Sequence, residues 1–355
     1  MSAVEIGPLD GVGILGAGTA FPERSFSNLD VLRNLPAHLH RRGPPSDEEL
    51  QFVSEGVEQS LGLKSRAWAH VPGTPLAHGH EESTLDLSLR AAKAALADAG
   101  LTASDVSLVL CATSTPHRMT STISAAVGTG LGARAACMDT RTGCSAGLFA
   151  LSTAGLYAHA GALGDGVALV IGAETFSKVL PAESRLAQLS LGDGAGAIVV
   201  GKKASASLRA AYLETDGSLG RLITTDGALP PTEDELRRGG YLLSGAPDEL
   251  LQVVPGKYLA AITHALTRAQ VRPDELDLYV PHQTSATLIA EVARQVGIPH
   301  ERAFVNVGAH ANIGSAGWIV ALAEARAAGR VRDGMTLGLA AVGGGMSWAA
   351  AVLRW

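Results

Sequence analysis

The residue best suited to nucleophilic chemistry in this 355-residue sequence is Cys144, one of only three cysteines. It follows the strand-like segment ACMDT and precedes the helical segment SAGLFALSTAGL. The amides and the dipole at the N-terminus of a helix stabilise a thiolate relative to a thiol. The small neighbours Gly143, Ala146 and Gly147 leave room for a substrate to approach the sulfur. Because small residues also suit ordinary packing of a buried cysteine, this segment alone leaves a structural role open.

Two further polar side chains lie where strands or turns end. His282 in YVPHQTS follows the apolar run LDLYV, and the C-terminal end of a strand is the usual location of a site in open α/β sheets. Asn312 in GAHANIGSAGW lies in a turn before the helical segment SAGWIVALAEARAAG. An asparagine there either caps the turn or belongs to a site, and His282 by itself is equally compatible with a loop or core position.

The C-terminal segment AAVGGGMSWAAAVLRW ends a strand in three glycines, of which Gly344 is the middle one. Such a run allows a backbone amide to turn toward a reacting carbonyl and form an oxyanion hole, or it allows tight packing. The three cysteines are odd in number and show no metal-type spacing. We therefore predict no metal site, no disulfide and a reducing compartment.

Helical and strand-like segments alternate along the chain, which predicts an α/β fold. The helical segments include STLDLSLRAAKAALADAGL and SAGLFALSTAGLYAHAGAL, and the buried strands include VSLVLCATS, GVALVIGAE and GAGAIVVGK. The chain also repeats itself, because Asp105 corresponds to Glu275 and Cys144 to Gly314 at the same separation of 170 positions. Two similar halves would bring Cys144 together with His282 and Asn312. Segment 215–256 breaks the pattern and is interpreted either as an excursion over a site or as a surface insertion.

Composition and charge limit the classes of partner. The formal net charge is −6 and the sequence has no Lys/Arg run, which argues against nucleic acid as the main partner. The N-terminus lacks a basic stretch before its apolar residues, and no segment approaches about 18 uninterrupted apolar residues. We therefore expect no signal peptide, no membrane association and a cytoplasmic location.

In combination these motifs resemble the 3-oxoacyl-[acyl-carrier-protein] synthase III (KAS III) family of condensing enzymes in the thiolase superfamily. The similarity covers nearly the whole chain and rests, in order, on GLKSRAW, ADAGLTASDVSLVLCATSTP, GCSAG, LSLGDGAGAIVVG, PHQTS, HANIGSAG and GGGMSWAAAVLRW. It implies a thiolase fold whose two pseudo-repeated halves, residues 1–200 and 201–355, form a layered α-β-α-β-α sandwich. It also implies a homodimer whose partner is acyl carrier protein. Substrates would be acyl thioesters of that carrier or of CoA, with no further cofactor.

The resemblance also implies a role for each candidate residue. Cys144 matches the nucleophile that accepts the acyl group. His282 matches the histidine of the P-H-Q motif, and Asn312 matches the asparagine of an H-G-N-T-S motif written here as HANIG. Gly344 matches the glycine whose amide completes an oxyanion hole with the amide of Cys144.

Several positions depart from the priming enzymes of this family. Gly56 and Ser60 stand where the family has a tryptophan and an arginine that bind CoA, although Arg185 matches another basic residue of that site. Thr120 replaces a phenylalanine that borders the acyl pocket across the dimer, which implies room for a larger acyl group. Arg141 replaces an alanine close to the nucleophile.

The carrier contact is only partly retained. Arg294 matches one basic residue of that surface, while Gln295 and Thr287 replace others. These departures indicate a specialised ketosynthase in polyketide or antibiotic assembly, which condenses the acyl group on Cys144 with a malonyl or 3-oxoacyl thioester. Pure acyl transfer to a hydroxyl, an amine or a second carrier remains the alternative. A further alternative is head-to-head condensation like that of OleA, although such enzymes use a glutamate base where TSTPHRMTSTIS has no carboxylate.

Overall fold

The computed structural model describes residues 3–36, 45–75 and 81–355. The strands are β1 (Val4–Ile6), β2 (Leu9–Ala20), β3 (Ser25–Ser27), β4 (Ser65–Ala67), β5 (Val106–Ala112), β6 (Ala136–Thr140), β7 (Val167–Thr175), β8 (Asp193–Thr215), β9 (Ile223–Thr225), β10 (Leu243–Gly245), β11 (Leu278–Pro281), β12 (Thr336–Gly343) and β13 (Ser347–Arg354). The helices are α1 (Asn28–Asn34), α2 (Asp47–Leu61), α3 (Thr84–Asp98), α4 (Ile123–Leu131), α5 (Ala146–His159), α6 (Arg185–Ser190), α7 (Glu233–Arg237), α8 (Pro247–Ala269), α9 (Ala286–Val296), α10 (Val307–His310) and α11 (Gly317–Ala327).

A mixed sheet runs through the molecule, with the strand order β11-β12-β13-β8-β7-β5-β6. The long strand β8 joins its two parts: residues 193–200 pair with β7, and residues 207–215 pair with β13. Strands β1 and β2 also pair with β8. The predicted boundary between residues 200 and 201 falls inside β8, and the division into two halves stays a prediction.

Buried side chains separate the fold into layers. The central group contains α5 and α11 with strands from both parts of the sheet, including Leu148 and Trp318. A second group packs α8 and α9 against β12 and β13, and a third packs α3 and α4 against β5 and β7. The order of layers is therefore helix, sheet, helix, sheet, helix, as the resemblance implied.

The segments that the sequence identified fold as predicted. The two helical segments form α3 and α5, and the three apolar runs form β5, β7 and the first part of β8. The repeat is also visible, because β5, α5 and β7 correspond in order to β11, α11 and β12. Both central helices therefore start beside the C-terminal ends of these strands.

Segment 215–256 is not a continuous loop. It contains the short strands β9 and β10, paired antiparallel, the helix α7 between them, and the first turns of α8. The start of the segment lies over the glycine run: Asp216 and Met346 exchange two backbone hydrogen bonds, and a Cβ atom on Gly344 would lie 3.5 Å from Cβ of Ile223. Of the two interpretations, the excursion over the candidate site agrees with this position.

In the part of the chain that the structure describes, no helix is long and apolar enough to cross a membrane.

Candidate active site

Cys144 lies in a tight turn between edge strand β6 and central helix α5. The turn is closed by the Ser145 hydroxyl, which donates a hydrogen bond to the Thr142 carbonyl at 2.7 Å. Gly143 has a φ of 60°, a conformation that glycine adopts without the penalty a side chain would incur. Helix α5 begins at Ala146, so the nucleophile candidate stands at its N-terminal end, as the sequence predicted.

The glycine run of β12 packs directly on this turn. A Cβ atom on Gly143 would collide with the backbone of Gly344, and one on Gly343 would collide with the amide nitrogen of Cys144. The absence of a side chain at Gly143 therefore allows two backbone segments to pack closely. Gly147 allows two helices to pack closely, because a Cβ atom there would lie 2.7 Å from the indole nitrogen of Trp318. The expectation that these glycines leave space for a substrate gives way to a packing role. The close packing of residues 343–344 on residues 143–144 is compatible with the shared oxyanion hole that the resemblance implies.

The thiol of Cys144 is shielded from water, although the residue as a whole keeps some exposure. Burial raises the pKa of this thiol to about 12, and the negative charge of Glu174 adds to the shift. These two effects outweigh the stabilisation expected from the start of α5, so Cys144 is a neutral thiol near neutral pH. The sequence-based expectation of a thiolate favoured by the helix dipole is not met in this structure.

His282 follows β11 directly and is completely buried. Its backbone amide donates to the Ala340 carbonyl at 2.7 Å, which fixes it beside β12. Neither ring nitrogen has a hydrogen-bond partner among the described residues. Burial lowers the pKa of the imidazole to about 3, so the ring is neutral. A Cβ atom on Gly317, at the start of α11, would lie 2.5 Å from the His282 Nδ1 atom, which shows how closely this helix start covers the ring.

Asn312 is held through its backbone by the loop that precedes β8. Its amide donates to the Ser190 carbonyl at 2.9 Å, and its carbonyl accepts from the Gly192 amide at 3.0 Å. Its side-chain Oδ1 atom accepts from the Gly314 amide at 2.9 Å, which leaves the amide group Nδ2 as the part that could act on a substrate. Asn312 thus caps its own turn, and its role toward a substrate stays a prediction.

A buried arginine also stabilises the segment that precedes β8. Arg66 is fully buried and donates hydrogen bonds to the Leu189 carbonyl at 2.5 Å and to the Asn28 side chain at 2.7 Å. Trp68 donates from its indole nitrogen to the Leu191 carbonyl at 3.0 Å. The motif GLKSRAW therefore contributes to the site by fixing the loop that holds the backbone of Asn312.

The His282 and Asn312 segments are also linked by a polar network. The Gln283 side chain accepts from the Asn306 amide at 2.9 Å, and the Asn306 side chain donates to Glu324 at 2.9 Å. Glu324 also contacts the Nε2 atom of His310 at 2.6 Å. Because Gln283 follows His282 and His310 precedes Asn312 by two residues, this network sets the spacing of the two candidate catalytic segments.

The residues predicted to contact substrate or carrier are all exposed. Thr120, Arg141 and Arg185 are exposed, and within the described ranges none of the three has a hydrogen bond or ion pair from its side chain. Arg185 starts α6, whose last residue, Ser190, contacts Asn312. Arg294 on α9 is exposed and paired with Glu291 at 2.7 Å. Their roles stay predictions.

The positions expected to have lost CoA contacts lie on one exposed surface of α2. A Cβ atom on Gly56 would meet nothing within 4 Å, and the Ser60 hydroxyl donates to the Gly56 carbonyl at 2.6 Å. The surface therefore offers neither a ring for stacking nor a charge at these two positions.

The sequence analysis missed Glu174, the penultimate residue of β7. It is fully buried and is the charged group that acts on the Cys144 thiol. A carboxylate inside the apolar run VIGAETFS is the feature that could have revealed it, because a charged residue is seldom fully buried without a reason. Among the described residues, no group of three or more His, Cys, Asp or Glu side chains is arranged to hold a metal ion.

Comparison with known proteins gives a consistent result. Residues 138–217 match the family 3-oxoacyl-[acyl-carrier-protein] synthase III, and residues 266–355 match its C-terminal family. The β-ketoacyl-[acyl-carrier-protein] synthase III of Paracoccus denitrificans is 34% identical over 319 residues, which are 87% of this chain and 93% of the relative. The enzyme of the same name from Rhodobacter capsulatus is 34% identical over 339 residues, 92% and 98% of the two chains.

Solved structures are similar over almost the whole chain. The 3-oxoacyl-[acyl-carrier-protein] synthase III of Aquifex aeolicus has a TM-score of 0.82 at 28% identity, covering 97% of this chain and 100% of that one. Two others are similar in fold alone. A priming β-ketosynthase of a polyketide pathway has a TM-score of 0.81 at 23% identity, covering 98% and 97% of the two chains. OleA of Xanthomonas campestris has 0.80 at 19% identity, covering 99% and 100%.

The layered α/β architecture and these structural relatives define a condensing acyltransferase with the thiolase fold. The expected fold class is thereby confirmed. At 34% identity over most of the length of curated relatives, the chain belongs to the β-ketoacyl-[acyl-carrier-protein] synthase III family.

Proposed function

We propose that the protein transfers an acyl group from a thioester to Cys144 and then condenses it with a second thioester on acyl carrier protein, in a specialised biosynthetic pathway. In the first step the sulfur attacks the thioester carbonyl, the carbon–sulfur bond of the donor breaks, and the thiol proton leaves with the departing thiol. In the second step a malonyl thioester loses carbon dioxide, its α-carbon bonds to the acyl carbonyl, and Cys144 is released.

The neutral, unpartnered ring of His282 is the observation that carries condensation over simple acyl transfer. A general base needs a pKa near the working pH, and burial lowers that of His282 to about 3. A neutral imidazole in an enclosed site is suited instead to donate a hydrogen bond to the oxygen of an enolate. Asn312 supplies a second neutral donor through its Nδ2 group, since its Oδ1 atom already accepts from the Gly314 amide.

The surface of α2 supports a carrier-bound donor rather than CoA. Gly56 and Ser60 present no aromatic ring and no charge there, and both are exposed. Among the basic residues, Arg294 is already neutralised by Glu291, whereas Arg185 has no partner within the described residues. These departures and the small side chain of Thr120 support a specialised pathway. They change the residues that the resemblance assigns to binding of the acyl donor and to the boundary of the acyl pocket.

The uncovered edge strand β6 supports a homodimer. It forms one end of the sheet order. Its first residue, Ala136, is exposed, and the other four are partly exposed. A strand with unpaired amides and carbonyls at a sheet edge is a natural place for pairing with a second copy. Cys144 lies four residues beyond this strand, so the site would then be close to the interface.

Reconstitution with thioesters tests the function. The protein is incubated with an acyl-carrier thioester and a malonyl-carrier thioester, and intact mass and carbon dioxide release are followed. We expect an acyl adduct that is absent from Cys144→Ala, followed by a carbon–carbon product. Acylation that persists in Cys144→Ala would contradict the nucleophile assignment. Acyl loading followed only by transfer to a hydroxyl or amine acceptor would replace condensation by acyl transfer, and a product from two acyl chains would indicate head-to-head condensation.

A further inference from the structure

Glu174 is a buried carboxylate that the proposed reaction does not use. It is fully buried at the end of β7, and its hydrogen bonds come from neutral groups. Burial raises the pKa of this carboxyl group, while hydrogen bonds from Thr115 and Ser315 oppose the shift. A carboxylate that is buried without a cationic partner lowers the stability of the folded protein. The presence of Glu174 at this position therefore requires a functional explanation.

The hydrogen bonds of Glu174 come from two segments far apart in the sequence. From the segment after β5, the Ser114 amide donates at 3.0 Å and the Thr115 hydroxyl donates at 2.7 Å. From the turn after Asn312, the Ser315 hydroxyl donates at 2.8 Å. The same hydroxyl also approaches the carbonyl of Ala112 at 2.7 Å. Glu174 therefore joins the strand ends beside Cys144 to the turn that carries Asn312.

The internal repeat gives this contact a counterpart on the nucleophile side. Glu174 and Gly344 are separated by the same 170 positions that relate Cys144 to Gly314. The Cys144 turn packs against the backbone of Gly344, and the Gly314 turn packs against Glu174, where a Cβ atom on Gly314 would lie 2.8 Å from Cγ of Glu174. In the C-terminal half, the backbone of Gly344 packs on the turn that carries Cys144. In the N-terminal half, the side chain of Glu174 packs on the turn that follows Asn312.

We propose that Glu174 is a positioning residue, which fixes the turn that carries Asn312 against the nucleophile half. The role in condensation rests on the proposed function. Glu174 does not touch substrate in this assignment. It acts through Ser315 and Gly314 on the Asn312 side chain, which the Gly314 amide holds at 2.9 Å.

The variant Glu174→Gln tests this role because it keeps the side-chain volume and removes the charge. A carboxylate accepts at both oxygens, whereas glutamine accepts at one and presents N–H groups on the other side. At least one donor among Ser114, Thr115 and Ser315 then loses its acceptor, so the turn loosens. Ser315→Ala removes the link from the opposite end and serves as a second variant in case Glu174→Gln does not fold.

Asp139 provides a matched control. It also accepts two backbone amides and one hydroxyl, from Ile123 at 2.9 Å and from Ser124 at 3.0 and 2.6 Å. It lies five residues from Cys144 in the sequence, yet its charge is not among the causes that raise the pKa of that thiol. Asp139→Asn should therefore leave the alkylation profile of Cys144 unchanged.

Three measurements test the proposal: acyl loading of Cys144 by intact mass, formation of carbon–carbon product, and the pH dependence of Cys144 alkylation by iodoacetamide. For Glu174→Gln we expect loading within about threefold of the wild type and condensation slowed about 10- to 100-fold, because a displacement of about 1 Å can cost that much. We also expect the alkylation midpoint to move to lower pH. Ser315→Ala should slow condensation in the same way without moving that midpoint.

Equal losses in loading and condensation, or unchanged condensation, would each overturn the assignment. If the wild type forms no carbon–carbon product, the proposed function fails, and hydrogen exchange of the 312–316 amides decides the positioning role. Faster exchange in Glu174→Gln than in Asp139→Asn supports it, and equal exchange removes it.

Discussion

The backbone of Gly343 lies against the amide nitrogen of Cys144, so closely that a side chain on Gly343 would collide with it. The reciprocal contact joins Gly143 to the nitrogen of Gly344. Two tight turns from different parts of the chain thereby bring two backbone amides to one place. This close approach depends on the absence of side chains at Gly143 and Gly343.

Gly343→Ala tests this dependence. The added methyl group must displace the Cys144 turn, so the two amides no longer converge on one oxygen, and loss of one such donor costs about 100- to 1,000-fold in kcat. We expect both acyl loading and condensation to fall by this order. Gly256→Ala, in α8 with nothing within 4 Å of the added atom, is the control and should keep full activity. Wild-type loading by Gly343→Ala would show that the contact is not needed.

Ala311 adopts a strained backbone immediately before Asn312. Its φ and ψ are 55° and −160°, a region that side chains other than glycine rarely occupy, at a cost of about 1–3 kcal/mol. Ala311→Gly removes this strain, but glycine loses more conformational entropy on folding than alanine does, at a cost of about 0.5–1 kcal/mol. We therefore expect a gain of about 1 kcal/mol in the free energy of unfolding, measured by denaturant titration. Gln270→Gly, at φ 55° and ψ 45° in the milder left-handed region, should gain less.

Burial of neutral His282 makes the stability depend on pH in a defined direction. Its folded pKa of about 3 lies below the unfolded value of about 6.5, so between these values the unfolded state binds a proton that the folded state does not. The contribution of His282 therefore falls as pH decreases through this range, by about 1.4 kcal/mol per pH unit at most. Unfolding curves of the wild type and His282→Asn at pH 4 to 8 measure it. We expect the wild type to lose more stability toward pH 4, and parallel curves would contradict a neutral buried ring.

Much of the site could be predicted because its residues stand in ordered motifs at strand and helix ends. The separation of 170 positions between repeated segments also predicts that Cys144 and the segments of His282 and Asn312 lie around one centre. That prediction needs only the order of elements, since the C-terminal ends of related strands meet at corresponding places.

The electrostatic state of the site could not be predicted in the same way. The helix start beside Cys144 favours a thiolate, but burial and Glu174 act in the opposite direction and prevail. Burial of a particular thiol depends on the packing of segments that are distant in the sequence, such as the glycine run that contacts Gly143. Likewise, nothing near Glu174 in the sequence indicates that Ser315 is its partner.

Substitutions on the exposed surface of α2 test which acyl donor the protein uses. Gly56 and Ser60 lie four residues apart on this helix, so aromatic and basic side chains introduced there would share one face. The double variant Gly56→Trp, Ser60→Arg would restore the ring and the charge that the family resemblance associates with CoA, and Gly56 offers open space for the ring. We expect kcat/KM for loading from acyl-CoA to rise about tenfold, with loading from the carrier thioester little changed. The control Gly56→Ala, Ser60→Ala should stabilise the helix by about 0.5–1 kcal/mol through the glycine replacement without improving CoA use. A wild type that already loads equally well from both donors would contradict the proposed preference for a carrier.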